Sequence, residues 1–427
     1  MTNRTAFRSF GILGKLSAVA AVLLTLGNLT GCGGFFSAIT TTTTTNTGTG
    51  YDLIYVGKDN NASFAGYAVS SGGLTSIGSS YTLGAAPLSM AITPSNTYLY
   101  VGTTVGIYGY SIAAGGALTE LNSNSVVANT PSGLKNGPVS MDISPDGDWL
   151  AVLTANTVGA STIYIYAIAP TTGLLTIQQS LTVPINNAAV NTAVAHTIKF
   201  SPNEDLIAVT LGTGGTDIFT FSAGTLTPAF SNYGNLTPPS STDSNNSAIF
   251  SAAGTTLFIA RGGSANSLDY YPINATTGAV NTTGYQYVTT GTNPSALAFN
   301  SPSASGQTYI YVTNAAITSS ASTITGYPIA TNSTTGVVTL GPSQLYGSPY
   351  SALGITPTAI TVDNTDTYVL ALSQTTGPPD LVEYTVDTTA ATVGRLYVTG
   401  SVSTGLSTIS GTYPGVVMVA THNGSGL

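Results

Sequence analysis

Short runs that are apolar or aromatic at nearly every position recur along this chain. Tyr98-Leu99-Tyr100-Val101, Ile163-Tyr164-Ile165-Tyr166, Leu257-Phe258-Ile259-Ala260 and Tyr309-Ile310-Tyr311-Val312 are examples. Strands buried on both faces read this way, whereas one-sided strands alternate apolar and polar residues. Two polar landmarks punctuate the runs. One is a Ser/Thr-led turn: Thr93-Pro94-Ser95-Asn96, Ser144-Pro145-Asp146-Gly147, Ser201-Pro202-Asn203-Glu204, Ser251-Ala252-Ala253-Gly254, Ser301-Pro302-Ser303, Thr361-Val362-Asp363-Asn364 and Thr421-His422-Asn423-Gly424. The other is a glycine two positions before Leu or Val, as in Gly72-Gly73-Leu74, Gly116-Ala117-Leu118, Gly173-Leu174-Leu175, Gly224-Thr225-Leu226, Gly278-Ala279-Val280, Gly336-Val337-Val338 and Gly394-Arg395-Leu396. Both landmarks occur seven times. A supersecondary unit repeated at this spacing buries its faces only against its neighbours.

Each repeat therefore holds an inner strand before the Ser/Thr turn, two central strands, and an outer strand after the glycine turn. Four strands in about 55 residues are the size of a propeller blade. The predicted fold class is all-β, a seven-bladed β-propeller over residues 51–427. Kelch and WD repeats have this size, but their signatures have no match here. The chain enters the domain at Leu53-Ile54-Tyr55-Val56, which matches a second strand. Val416-Val417-Met418-Val419 matches an inner strand, so the C-terminal strand is expected to complete the first blade and leave no open sheet edge.

The N-terminal residues follow a different pattern. A basic start with Arg4, Arg8 and Lys15 leads into an apolar run, Leu16 to Leu26, that is short for a membrane span and reads as a signal peptide over residues 1–31. Leu29-Thr30-Gly31-Cys32 then resembles the lipobox of bacterial lipoproteins. Cys32, the only cysteine, is the expected lipid acceptor; the alternative is a secreted chain with an incidental thiol. Residues 32–50, with threonine at every position from Thr40 to Thr45, read as a tether. The expected location is the bacterial cell envelope, with an outer-membrane lipid anchor and a monomeric propeller.

Only 6% of the 427 residues are charged, which leaves too few ions to coat amphipathic helices. Beyond Cys32 the basic residues are Lys58, Lys135, Lys199, Arg261 and Arg395, against all 16 acidic ones, a balance of −11. Such a surface repels phosphate backbones, and nucleic acid is excluded as a partner. No glycine-rich loop opens a helix as a phosphate cradle would, and no Cys/His cluster exists, so neither cofactor nor metal is expected. Asp142, Asp146 and Asp148 allow a calcium reading, but Asp146 falls in the recurrent turn, where Asp serves local backbone bonds.

Tyr311-Val312-Thr313-Asn314 is the signature of YVTN propeller repeats, and the pattern from 51 to 427 resembles the lactonase family of seven-bladed propellers, related to 6-phosphogluconolactonase. Val194-Ala195-His196-Thr197-Ile198-Lys199-Phe200-Ser201-Pro202 resembles that family's His-x-His inner strand, and Leu211-Gly212 followed by Asp217 resembles its Asp-Leu-Gly segment. The resemblance makes His196 the second family histidine. Val194 replaces the first and Thr210 the aspartate. Ser244-Asn245-Asn246-Ser247 and Arg261-Gly262 stand where the family has Gly-Pro-Arg-His and Asn-Glu. Lactone hydrolysis needs a water-activating base and a donor for the oxyanion. The candidates are His196 as base and Lys199 or Arg261 as the charge. Against them, His196 fits a packed inner-strand histidine, Lys199 lies an odd number of residues away and so on the opposite strand face, and Arg261 can equally pair with Asp269 or another acid nearby. Two functions follow: a binding propeller for a glycan, peptide or envelope protein, or a lactonase-like hydrolase with a degenerate site.

Overall fold

The computed structural model describes residues 52–58, 62–123, 125–129, 137–155, 160–184, 194–228, 236, 240–300, 307–316, 322–341, 343–374, 379–405 and 416–422. The signal peptide, Cys32, the tether, Lys135 and the 301–303 turn lie outside the described residues.

The described strands form seven antiparallel sheets, each ordered from the inside outwards as the sequence predicts. In the third blade the order is Pro138–Ile143, Trp149–Ala155, Ala160–Ile168 and Leu175–Pro184. The inner strands are Val416–Ala420, Pro87–Ile92, Pro138–Ile143, Thr197–Phe200, Ser244–Phe250, Pro294–Asn300 and Pro357–Val362 in blades one to seven. Each packs against the next, and the last returns to the first. Among the described residues the only helix is one 3-10 turn, Thr282–Gly284.

Closure is by the predicted strand. Val416–Ala420 pairs with Asp52–Lys58, with Ile54 opposite Ala420 and Lys58 opposite Val416. Just beyond, the Leu53 amide donates to Thr421 Oγ1 at 3.1 Å. Two segments more than 350 residues apart thus share one sheet, and the seam becomes an ordinary ladder.

Seven apolar layers hold the blades, one at each blade interface. Between the third and fourth blades, Leu153, Ile163 and Ile165 meet Ile207, Val209 and Phe219. The second strands are sandwiched between two such layers, so Tyr98–Thr103 is buried at every position. This is why their sequences are apolar throughout.

Both sequence landmarks have a structural cause. The Ser/Thr side chain closing an inner strand receives the amide that opens the second strand: Tyr98 to Thr93 at 3.0 Å, Trp149 to Ser144 at 3.0 Å, Leu206 to Ser201 at 3.0 Å, and Thr256 to Ser251 at 3.1 Å. Asp363 does the same for Tyr368 in the seventh blade. In the second, third and seventh blades the glycine landmark meets the aromatic strand of the preceding blade. Tyr55, Tyr100 and Tyr311 hydroxyls donate to the carbonyls of Gly116, Gly173 and Gly394 at 2.8, 2.7 and 2.6 Å. A turn that must cross a neighbour's ring this closely has no room for a side chain.

Candidate functional site

The inner strands carry one irregularity in common. In five blades their pairing with the second strand slips by one residue, bulging Leu88, Val139, Asn246, Ser295 and Thr358. His196 stands at the same place in the fourth blade, five residues before Ser201 as Val139 is before Ser144. There the amides of His196 and Thr197 both reach Thr210, on its carbonyl at 2.9 Å and its hydroxyl at 3.0 Å. All six residues are half-buried. Because the inner strands pack side by side, these positions ring one mouth of the space they enclose. Bulges re-aim side chains and cluster near sites for that reason.

The ring is amphipathic. Leu88 and Val139 make an apolar arc on the second and third blades, while His196, Asn246, Ser295 and Thr358 make a polar arc on the fourth to seventh. Asn246 Nδ2 donates to the Pro294 carbonyl at 2.7 Å, and Ser295 Oγ to the Pro357 carbonyl at 2.7 Å, so each is fixed to the next blade. His196 is the only titratable member. Its ring makes no hydrogen bond or ion pair with a described residue, and burial lowers its pKa to about 4. It is therefore neutral at pH 7, with one ring nitrogen unprotonated. The ring lies against Gly212, where a Cβ would come within 3.0 Å of Nε2.

Gly212 connects His196 to the second candidate. Its backbone bridges Asn245, with N to O distances of 3.2 and 3.0 Å. Asn245 Oδ1 accepts from Arg261 Nε at 3.0 Å. Arg261 is 1% exposed; it also donates to the Tyr271 hydroxyl at 3.2 Å and forms a fully buried ion pair with Asp269. The guanidinium is thus engaged behind the Gly212–Asn245 bridge rather than presented to the ring. Asp269 is the partner that the sequence offers.

Lys199 points elsewhere. Its ammonium pairs with Asp142 at 2.8 Å, and Asp142 also receives the Phe200 amide at 2.8 Å. This pair belongs to the turn end of the inner strands. His422 is there too, its Nε2 3.0 Å from the Ile92 carbonyl, its amide on Asn96 Oδ1 at 2.7 Å, and its pKa lowered by burial. The two histidines therefore occupy opposite ends. Asp146 caps its own turn, accepting from Ser144 Oγ and the Asp148 amide at 2.5 and 2.9 Å. Among the described residues no group of three or more His, Cys, Asp or Glu side chains is placed to hold a metal.

One acid escapes sequence reasoning as a candidate. Asp217, opposite Val209, enters the apolar layer between the third and fourth blades with both carboxylate oxygens unpartnered. Burial alone raises its pKa to about 7. The only sequence signal was its place after Leu211-Gly212.

No curated protein matches the chain in sequence. Among solved structures, a protein from Lactobacillus plantarum superposes with a TM-score of 0.60 at 17% identity, over 87% of this chain and 99% of that one. The periplasmic gluconolactonase of Pseudomonas aeruginosa superposes with a TM-score of 0.59 at 14% identity, again over 87% and 99%. At such identities these likenesses show the fold alone. The family model for the lactonase seven-bladed β-propeller matches residues 71–404, most of the blades described above, and the chain belongs to that family.

Proposed function

We propose that the propeller binds a neutral, sugar-lactone-sized ligand at the ring of bulged residues, and does so without efficient turnover. The amphipathic ring carries this reading. Its apolar arc suits the C–H face of a small ring, and its amide, hydroxyls and neutral histidine suit the hydroxyls. Among the described residues no cation is presented to the ring for the oxyanion, since Arg261 is held by Asp269, Asn245 and Tyr271 and Lys199 by Asp142. A relative in fold is named for gluconolactone, which makes it the natural probe.

Hydrolysis is the second reading, favoured by the unprotonated ring nitrogen of His196. A base needs its unprotonated form, so the rate would rise with pH through about 4 and stay level from pH 5 to 8. Calorimetric titration of the folded chain with gluconolactone, paired with a pH-stat assay, separates the readings. The expected result is saturable binding lost in His196→Ala, with hydrolysis at background. Robust hydrolysis, lost by about a hundredfold or more in His196→Ala with the fold intact, would restore the enzyme.

The propeller is further proposed to work as an envelope lipoprotein anchored through Cys32. Support comes from the Leu29-Thr30-Gly31-Cys32 pattern behind an apolar run. Cys32→Ser should leave the protein soluble in the cell fraction or medium; a serine variant still in the membrane pellet would defeat the assignment.

A further inference from the structure

We propose that Tyr287, on the outer strand of the fifth blade, is a stacking platform for a neutral, hexopyranose-containing glycan. It ends a column of three near-parallel rings. Tyr271 and Tyr285 have centroids 4.8 Å apart at 27°, and Tyr285 and Tyr287 are 5.9 Å apart at 23°. The inner end is fixed: Tyr271 receives a hydrogen bond from Arg261, and Tyr285 bonds to Asp269, the partner of Arg261. The outer end is open. Tyr287 is 62% exposed, one of the two most exposed large apolar side chains among the described residues.

An exposed tyrosine ordinarily loses rotamer freedom when something stacks on it. Here Tyr285 already holds the ring from one side, so a ligand meets a preorganised face. The π face carries negative charge density and attracts the weakly positive C–H face of a pyranose.

The surroundings select against charged polymers. No residue between Asp269 and Asp363 carries a charge, a stretch that includes the outer strand of the fifth blade and the whole sixth blade. The exposed residues near Tyr287 in sequence are Asn281, Thr282, Thr283, Gln286 and Thr289, all neutral hydroxyls and amides. An anionic or cationic chain finds no ion pair there. A neutral glycan loses nothing by that and can exchange its water contacts for hydroxyl and amide contacts.

This surface is separate from the ring that holds His196, so the two proposals fail independently. The test is native affinity electrophoresis of the full chain in gels containing hydroxyethyl cellulose or laminarin as neutral glucans, and carboxymethyl cellulose as the anionic control. Retardation by at least one neutral glucan is expected. Tyr287→Ala should weaken it about tenfold, at the upper end for a single aromatic contact. Tyr287→Phe and His196→Ala should retain it. Thermal melting checks that Tyr287→Ala is folded. Absence of retardation by both neutral glucans, retardation that persists in Tyr287→Ala, or retardation by carboxymethyl cellulose alone would overturn the proposal. Persistence in Tyr287→Ala would point instead to another surface or to a chain paired along the outer strand.

Discussion

At the scale of the residue, part of the repeat signature comes down to a tyrosine ring and a glycine backbone that must meet. Gly394 has φ +81°, and a Cβ there would lie 2.7 Å from the ring of Tyr309, while its carbonyl holds the Tyr311 hydroxyl. Gly173 repeats the arrangement with Tyr98 and Tyr100. The aromatic run of one blade and the glycine turn of the next are therefore a single contact read twice in the sequence. Tyr311→Phe removes one buried hydrogen bond and should cost about 1 kcal/mol. Gly394→Ala forces a left-handed conformation on a side chain with no space and should cost about 1–3 kcal/mol. Chemical denaturation of the two variants checks the order; an alanine variant as stable as the wild type would mean that the turn can move away from Tyr309.

At the scale of the element, regular strands were legible from sequence and irregular ones were not. The buried second strands announce themselves because both faces are covered, and the closing strand was visible because Val416-Val417-Met418-Val419 carries an inner-strand pattern without a blade of its own. The bulges were not legible. A one-residue slip at Val139 or Asn246 leaves composition unchanged, and its sequence trace is only the spacing to the next Ser or Thr. The fate of Arg261 was half-readable: Asp269 lies near enough in sequence to suggest a pair, whereas Asn245 and Tyr271 are brought in by neighbouring strands. Asp217 was marked only by its place after Leu211-Gly212, because its isolation is a property of the layer between two blades. The legible closing strand makes a direct prediction. Deleting residues 413–427 removes the inner strand of the first blade and exposes the edge of Asp52–Lys58, at a cost on the order of several kcal/mol of apolar burial. A melting temperature unchanged by that deletion would mean the ring does not depend on the shared blade.

At the scale of the whole molecule, the seam between the seventh and first blades should make stability depend on pH. Asp52 on the first blade faces Asp363 in the seventh-blade turn, and Glu383 on the third strand of that blade is fully buried with one oxygen unpartnered. Burial pushes all three carboxyls above their ordinary range, and the proximity of Asp363 adds to the shifts of Asp52 and Glu383. Among the described residues Tyr67 and Tyr368 also lie near this apolar layer, and buried Lys58 pairs with Asp380, although burial outweighs that partner and lowers the lysine's pKa. A group with a raised folded-state pKa stabilises fully below its unfolded value, and that contribution is lost as pH rises through the folded value. Asp217 and Glu204, both raised to about 7, act in the same direction over the same window, from the ordinary carboxylate range of about 4 up to about 7. His196 and His422 oppose them, because lowered histidines lose stability as pH falls below about 6.5, but they are two against six once Asp269, also raised by burial, is included. The melting temperature should accordingly rise by several degrees, roughly the effect of one or two kcal/mol, on going from pH 8 to pH 5. Asp52→Asn keeps the shape of the pair without its second charge, so it should raise the melting temperature at pH 8 and flatten the profile. A variant that melts lower at pH 8, or a wild type whose stability falls steadily from pH 8 to pH 5, would show that the seam holds its carboxyls ionised.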